Sequence, residues 1–186
     1  SYIFDVLKRC KDKGAILTAA TGRSRLSAIT YLDRLPMIDL LISFQGALVT
    51  SLRTSEPLWI NYMEGSHVGL TVEYLQSQGV EILIYVEDLI YVSKISEWVE
   101  SYAKRNNVEL KTVKDLSSLN RNVYRILAVG DFDKVRKIET DLNMKYPKIL
   151  YATRSLPNFC EILDRKSGKD KALKWLCKYY GIERSE

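Results

Sequence analysis

The sequence predicts an α/β fold in which a discontinuous α/β domain, made from both ends of the chain, is interrupted by an inserted α+β domain. Three observations carry this. The first 45 or so residues alternate helix, strand, helix, strand, the rhythm of a doubly wound α/β sheet. The middle changes to helix followed by two strands, a pattern that occurs at least twice. The last 20 residues return to the opening style with a single amphipathic helix.

Ile3, Val6, Leu7 and Cys10 recur at helical spacing, and Lys11-Asp12-Lys13-Gly14 closes that helix. Ala15–Ala20 is an apolar run without alternation, which predicts a strand covered on both faces. Thr21-Gly22-Arg23-Ser24 ends it. A second helix carries Leu26, Ile29 and Leu32 and stops before Pro36; Asp39–Phe44 is the next apolar strand, ended by Gln45-Gly46. Ala47–Ile60 reads as a hairpin turning around Ser51–Pro57.

The inserted segment opens with a helix from Ser66 to Gln78, bearing Val68, Val72 and Leu75. Val80–Val86 and Leu89–Val92 flank Glu87-Asp88, a two-residue hairpin link. Ile95, Trp98, Val99 and Tyr102 mark a helix, and Val108–Val113 and Val123–Val129 are strands. Val135, Ile138 and Leu142 mark another helix before the strands Ile149–Ala152 and Phe159–Leu163. This module is expected to be an antiparallel sheet with helices. Lys169–Tyr180 then places Ala172, Leu173, Leu176 and Tyr179 on one face and ends at Gly181, a usual helix stop. The boundaries are therefore 1–61 and 165–186 for the discontinuous domain and 62–164 for the insertion.

Composition narrows the function. The chain has 186 residues, 46% apolar and 27% charged, with a formal net charge of +5. These are globular values that exclude a disordered, collagen-like or disulfide-scaffold chain. No apolar run approaches the roughly 20 residues of a membrane span, so no membrane partner is expected. Cys10, Cys160 and Cys177 show no metal or redox spacing, which suits a reducing, cytoplasmic setting. The positive charge and twelve tyrosines permit a nucleic-acid-binding module. Dispersed basic residues alternating with acids, and no recognisable binding signature, argue for no nucleic-acid partner.

Five places could carry chemistry. Thr21-Gly22-Arg23 follows a strand at its carboxyl end, where open α/β sheets bind ligands. A hydroxyl, a glycine that lets backbone N–H groups approach, and a helix start suit an anion such as phosphate, and Arg23 could add a charge-assisted contact. The alternative is that Thr21 or Ser24 only caps the helix. Gln45-Gly46-Ala47 ends the second strand at the same kind of edge, or is simply a turn. Lys169 opens the last helix, where the helix dipole disfavours a cation unless an anion is near; with Lys166, Lys171 and Lys174 it could equally form a solvated basic face. Asp131-Phe132-Asp133 opens a helix and reads as a capping pair. His67, the only histidine, has no Ser/Asp or metal partner in the pattern, so a Ser-His-Asp hydrolase or a zinc site is not supported.

Gly14-Ala15-Ile16-Leu17-Thr18-Ala19-Ala20-Thr21-Gly22-Arg23 resembles the second motif of the haloacid-dehalogenase-like (HAD) phosphatases, Cof-type branch. Ile42-Ser43-Phe44-Gln45-Gly46-Ala47 is similar to that branch's Asn-Gly-Ala strand end, with Gln45 for Asn. Phe159-Cys160-Glu161-Ile162 and Ser167-Gly168-Lys169-Asp170-Lys171-Ala172-Leu173 resemble its third motif. The resemblance covers the whole chain. It implies a Rossmann-like core with an inserted cap, Mg²⁺ as cofactor, and hydrolysis of a small phosphorylated metabolite (a sugar- or nucleotide-like phosphomonoester) through an aspartyl-phosphate. It implies that Thr21 and Lys169 are catalytic and that Gly22, Arg23, Gln45 and Gly46 bind substrate. The family's Asp-x-Asp-Gly-Thr and Gly-Asp-x-x-Asn-Asp motifs are not in this sequence, so no metal ligand is assigned to it. The expectation is an incomplete core: the chain is a fragment of the phosphatase, inactive by itself. The competing expectation is a non-catalytic relative that binds a phospho-ligand or a protein.

Overall fold

The computed structural model describes residues 2–183. In chain order the elements are α1 (Tyr2–Asp12), β1 (Thr18–Ala20), α2 (Arg25–Leu32), β2 (Leu40–Ser43), β3 (Leu48–Ser51), β4 (Pro57–Ile60), α3 (Gly65–Ser77), β5 (Glu81–Val86), β6 (Leu89–Val92), α4 (Glu97–Asn106), β7 (Glu109–Thr112), β8 (Val123–Val129), α5 (Phe132–Lys145), β9 (Leu150–Leu156), β10 (Phe159–Asp164) and α6 (Lys169–Tyr180). A 3₁₀ turn, Phe44–Gly46, lies between β2 and β3. The chain divides into two compact units, Ser1–Ile60 with Gly168–Glu186, and Asn61–Ser167.

In the first unit a four-stranded sheet has the order β1-β2-β3-β4. β1 and β2 are parallel, with Thr18 opposite Leu40, and the remaining pairs are antiparallel. Every residue of β2 is buried. Leu40, Ile42 and Val49 pack against Ala172 and Leu176 of α6, which are one turn apart and so share a face. Trp59 and Trp175 join this core with ring centroids 5.3 Å apart. Gly181, in the left-handed region at φ 66, ends α6 at the expected residue.

One expectation needs correction here. Ala15–Ala20 was expected to be a strand covered on both faces, but β1 spans only Thr18–Ala20 and none of its residues is buried. β1 is the terminal strand of its sheet, so among the described residues only β2 pairs with it. In α2 the fully buried side chains are Ser27 and Ala28, while Leu26, Ile29 and Leu32 are half-buried.

The second unit holds a six-stranded sheet in the order β7-β6-β5-β8-β10-β9. α3 (Val68, Val72, Leu75) and α5 (Val135, Ile138, Leu142) bury their apolar stripes on one face of it, against Ile82, Ile84, Ile126, Ala128, Cys160 and Ile162. Alternation along the strands sends Tyr85, Arg125 and Glu161 to the other face, where α4 contributes Tyr102. The hydroxyls of Tyr85 and Tyr102 are 2.9 Å apart. The sheet is antiparallel as expected except that β6 and β7 pair in parallel, with Leu89 opposite Glu109. α4 is the crossover that a parallel pair requires.

Candidate functional site

The parallel pairing of β1 with β2 brings both carboxyl ends to one edge of the first unit's sheet. Thr21 leaves β1 there, with its N–H donating to Ile42 O at 2.9 Å. Its Oγ1 accepts from the Arg23 N–H at 3.1 Å, and as a hydroxyl it also carries one proton to donate. Ser24 caps α2 by accepting from the Ser27 N–H at 3.2 Å. Ser24, not Thr21, therefore caps the helix, and the Thr21 hydroxyl serves the turn that precedes it.

The turn after β2 is stitched to this loop by main-chain hydrogen bonds. Phe44 N–H donates to Arg23 O at 2.8 Å and Gln45 N–H to Thr21 O at 3.2 Å. The Gln45 carboxamide lies over Gly22: a Cβ on Gly22 would sit 2.5 Å from Gln45 Nε2. Gly46 (φ 95) backs onto the start of α6, where a Cβ would fall 2.3 Å from the Gly168 carbonyl and 2.7 Å from Lys169 N. Gly168 itself has φ 155 and ψ 139, a glycine conformation, and its carbonyl accepts from Ala172 N–H at 2.9 Å. Main-chain close approach therefore gathers Thr21, Gly22, Gln45, Gly46 and Lys169 at one place.

Lys169 is exposed in the first turn of α6. Arg23 is at the same edge through its backbone, but its guanidinium turns onto α2: Nη1 donates to Ser27 Oγ at 3.2 Å and the group lies 4.6 Å from the Tyr31 ring centre. Ser27 and Tyr31 follow Arg23 by four and eight residues, one face of a helix, so the spacing carried this signal. Phe44 and Gly168 are the other contributors that sequence reasoning did not single out.

Outside this edge, Asp131 caps α5 by accepting from the Lys134 N–H at 2.9 Å. His67 stands on α3 with Glu64 3.7 Å from its Nε2. Among the described residues there is no group of three or more His, Cys, Asp or Glu that could hold a metal ion. No helix among them is long and apolar enough to cross a membrane.

The first unit is thus α/β, with a hydroxyl, two close approaches at glycines and a helix start at the carboxyl edge of its parallel strand pair, the edge where open α/β sheets generally bind ligands. The chain belongs to the haloacid dehalogenase-like hydrolase family, whose model matches residues 2–186. It is 24% identical over 183 residues to a Haemophilus influenzae protein named "Putative phosphatase", covering 97% of this chain and 68% of that one. It is 24% identical over 210 residues to the 5-amino-6-(5-phospho-D-ribitylamino)uracil phosphatase of Bacillus subtilis, covering 98% and 71%. Among solved structures it superposes on a haloacid dehalogenase-like hydrolase from Bacteroides thetaiotaomicron with a TM-score of 0.81 at 22% identity, over 98% of this chain and 71% of that one.

Proposed function

We propose that residues 1–186 supply the phosphoryl-binding part and the cap of a Mg²⁺-dependent phosphatase that hydrolyses small sugar- or nucleotide-like phosphomonoesters. The observation that carries this reading is the convergence of Thr21-Gly22 with Gly168-Lys169 on the Gln45-Gly46 turn. The Thr21 hydroxyl donates to a phosphoryl oxygen, helped by the Gly22 N–H, and the Lys169 ammonium offsets phosphate charge. Gln45 and Gly46 line the pocket, and Arg23 lies at its rim. The phospho-ribityl uracil in the name of the Bacillus relative supports the substrate class.

In this reading an aspartate attacks phosphorus and forms an aspartyl-phosphate as the alcohol leaves. A second carboxyl protonates that alcohol and then deprotonates the water that releases phosphate. Both carboxyls, and the ligands of Mg²⁺, are assigned to segments other than residues 1–186. When bound, the metal offsets the charge of phosphate and carboxylates. The second unit acts as the cap that selects substrate and excludes water. Three free cysteines suit a cytoplasmic setting.

The test is hydrolysis of an aryl phosphate with Mg²⁺, by residues 1–186 and by a chain that also carries the two aspartate segments. Turnover is expected only from the second. Turnover by the first overturns the placement of the nucleophile. Phosphate binding without turnover in either points to the non-catalytic phospho-ligand binder.

A further inference from the structure

The turn after β2 contains three consecutive residues in the left-handed region: Phe44 at φ 48, Gln45 at φ 53 and Gly46 at φ 95. Two of them are not glycine, and a bulky residue there is unfavourable unless its surroundings over-determine it. They do. Phe44 is fully buried, and its N–H and that of Gln45 are tied to Arg23 and Thr21. On the other side Gly46 touches the Gly168 carbonyl so closely that no side chain fits. The turn thus contacts the Thr21–Arg23 loop and the Gly168–Lys169 helix start at once.

We propose that Phe44-Gln45-Gly46 is a positioning element that sets the spacing between Thr21-Gly22 and Lys169, so that both hold one phosphoryl group together. Phe44 is its anchor, the Gln45 amide its brace on Gly22, and Gly46 the contact whose lack of a Cβ defines the gap to α6. The inference rests on the phosphate reading above: it adds the buried Phe44, which acts through others rather than on the ligand, and gives the pocket-lining Gln45 and Gly46 a positioning role as well. Adding a single carbon at Gly46 must displace Gly168 and Lys169, because the Gly168 carbonyl is main chain and cannot swing aside. The Thr21 side would keep its own hydrogen bonds. The two halves of the cradle would then come apart.

The test uses the ¹⁵N-labelled chain titrated with inorganic phosphate, following the amides of Gly22, Arg23 and Lys169, together with hydrogen exchange at Phe44 and Gln45. In the wild type all three amides are expected to shift with one midpoint. Phosphate is expected to slow exchange at Phe44 and Gln45, which do not donate to it. In Gly46→Ala the midpoint is expected to rise by about fivefold or more, a modest stability-scale change, with Lys169 no longer titrating together with Gly22. The exchange measurement needs no variant and decides the matter if Gly46→Ala does not fold. Absence of any shift at Gly22, Arg23 and Lys169 in the wild type overturns the phosphate reading and this proposal with it. Common titration in the wild type, unchanged in Gly46→Ala or without slower exchange at Phe44 and Gln45, overturns the positioning role and leaves the phosphate reading standing.

Discussion

Arg125 and Glu161 form an ion pair on neighbouring strands β8 and β10, with both side chains 5% exposed. The guanidinium also lies 4.2 Å from the Tyr85 ring centre. Burial by itself pulls the guanidinium pKa down, but the Glu161 carboxylate, with Tyr85 and Tyr102, more than offsets that and raises it. A charge pair this deep holds because each partner is the other's counter-ion.

Removing one partner is therefore expected to be costly, and removing both much less so. Glu161→Gln leaves a buried cation and is expected to destabilise the second unit by about 3–5 kcal/mol. Arg125→Met with Glu161→Leu is expected to recover most of that. Urea denaturation followed by far-ultraviolet circular dichroism measures both. A Glu161→Gln cost below about 1 kcal/mol, the scale of an exposed pair, would contradict the burial argument.

At the candidate site, Thr21 offers a hydroxyl whose oxygen already serves the Arg23 N–H. Thr21→Val keeps the shape and removes the donor. It is expected to raise the phosphate midpoint about tenfold, equivalent to about 1.4 kcal/mol. Thr21→Ser keeps the hydroxyl and is expected to bind as the wild type does. Equal binding by Thr21→Val would remove the hydroxyl from the phosphate reading.

Stability should fall at both ends of the pH scale through one cluster. Tyr74 Oη donates to Asp141 Oδ2 at 2.7 Å, and Lys137 Nζ donates to the same oxygen at 2.8 Å. The Lys137 and Tyr74 hydrogen bonds hold the Asp141 carboxyl below its ordinary value. That stabilisation is present above the unfolded carboxyl pKa of 3.8 and is lost as pH falls below it. Burial, then Asp141, raises the Tyr74 hydroxyl above its ordinary 10.0, so above that pH the unfolded state loses its proton first and folding weakens. Asp141→Asn is expected to flatten the acid limb. An acid limb unchanged in Asp141→Asn, measured by thermal melts from about pH 5 down to about pH 2, would assign it to other carboxyls.

Much of this fold is legible because its cores use simple periods. Val68, Val72 and Leu75, and Val135, Ile138 and Leu142, lie on the buried faces of α3 and α5 as their spacing requires. Gly181 ends α6 because left-handed backbone favours glycine. The parallel pairing of β6 with β7 was harder to read, since pairing direction is decided by partners distant in sequence; the signal was the helix separating the two strands. The motifs pointed to Thr21, Gly22 and Lys169, and the fold brings these residues to one edge of the first unit's sheet. Phe44 was not, because nothing local recommends a phenylalanine at φ 48: the contacts on both sides of the turn impose it.

The three free thiols should differ in reactivity in an order set by the fold. Cys10 is exposed, Cys177 is half-buried and Cys160 is buried in β10 beneath α5. Burial, then the nearby Glu139 and Glu161 charges, pushes the Cys160 thiol up. Thiolate is the species that alkylates, and at pH 8 about a quarter of an ordinary free thiol is in that form. Cys160 combines a smaller thiolate fraction with no access for the reagent. Iodoacetamide at pH 8 is therefore expected to modify Cys10 first and Cys160 only when the second unit opens. The Cys160 rate should then rise with urea in step with unfolding of that unit, and Glu161→Gln should accelerate it by destabilising the same sheet. Peptide mass spectrometry of timed samples separates the three sites. Modification of Cys160 in the native protein as fast as Cys10 would mean that α5 does not cover β10 as the core packing requires.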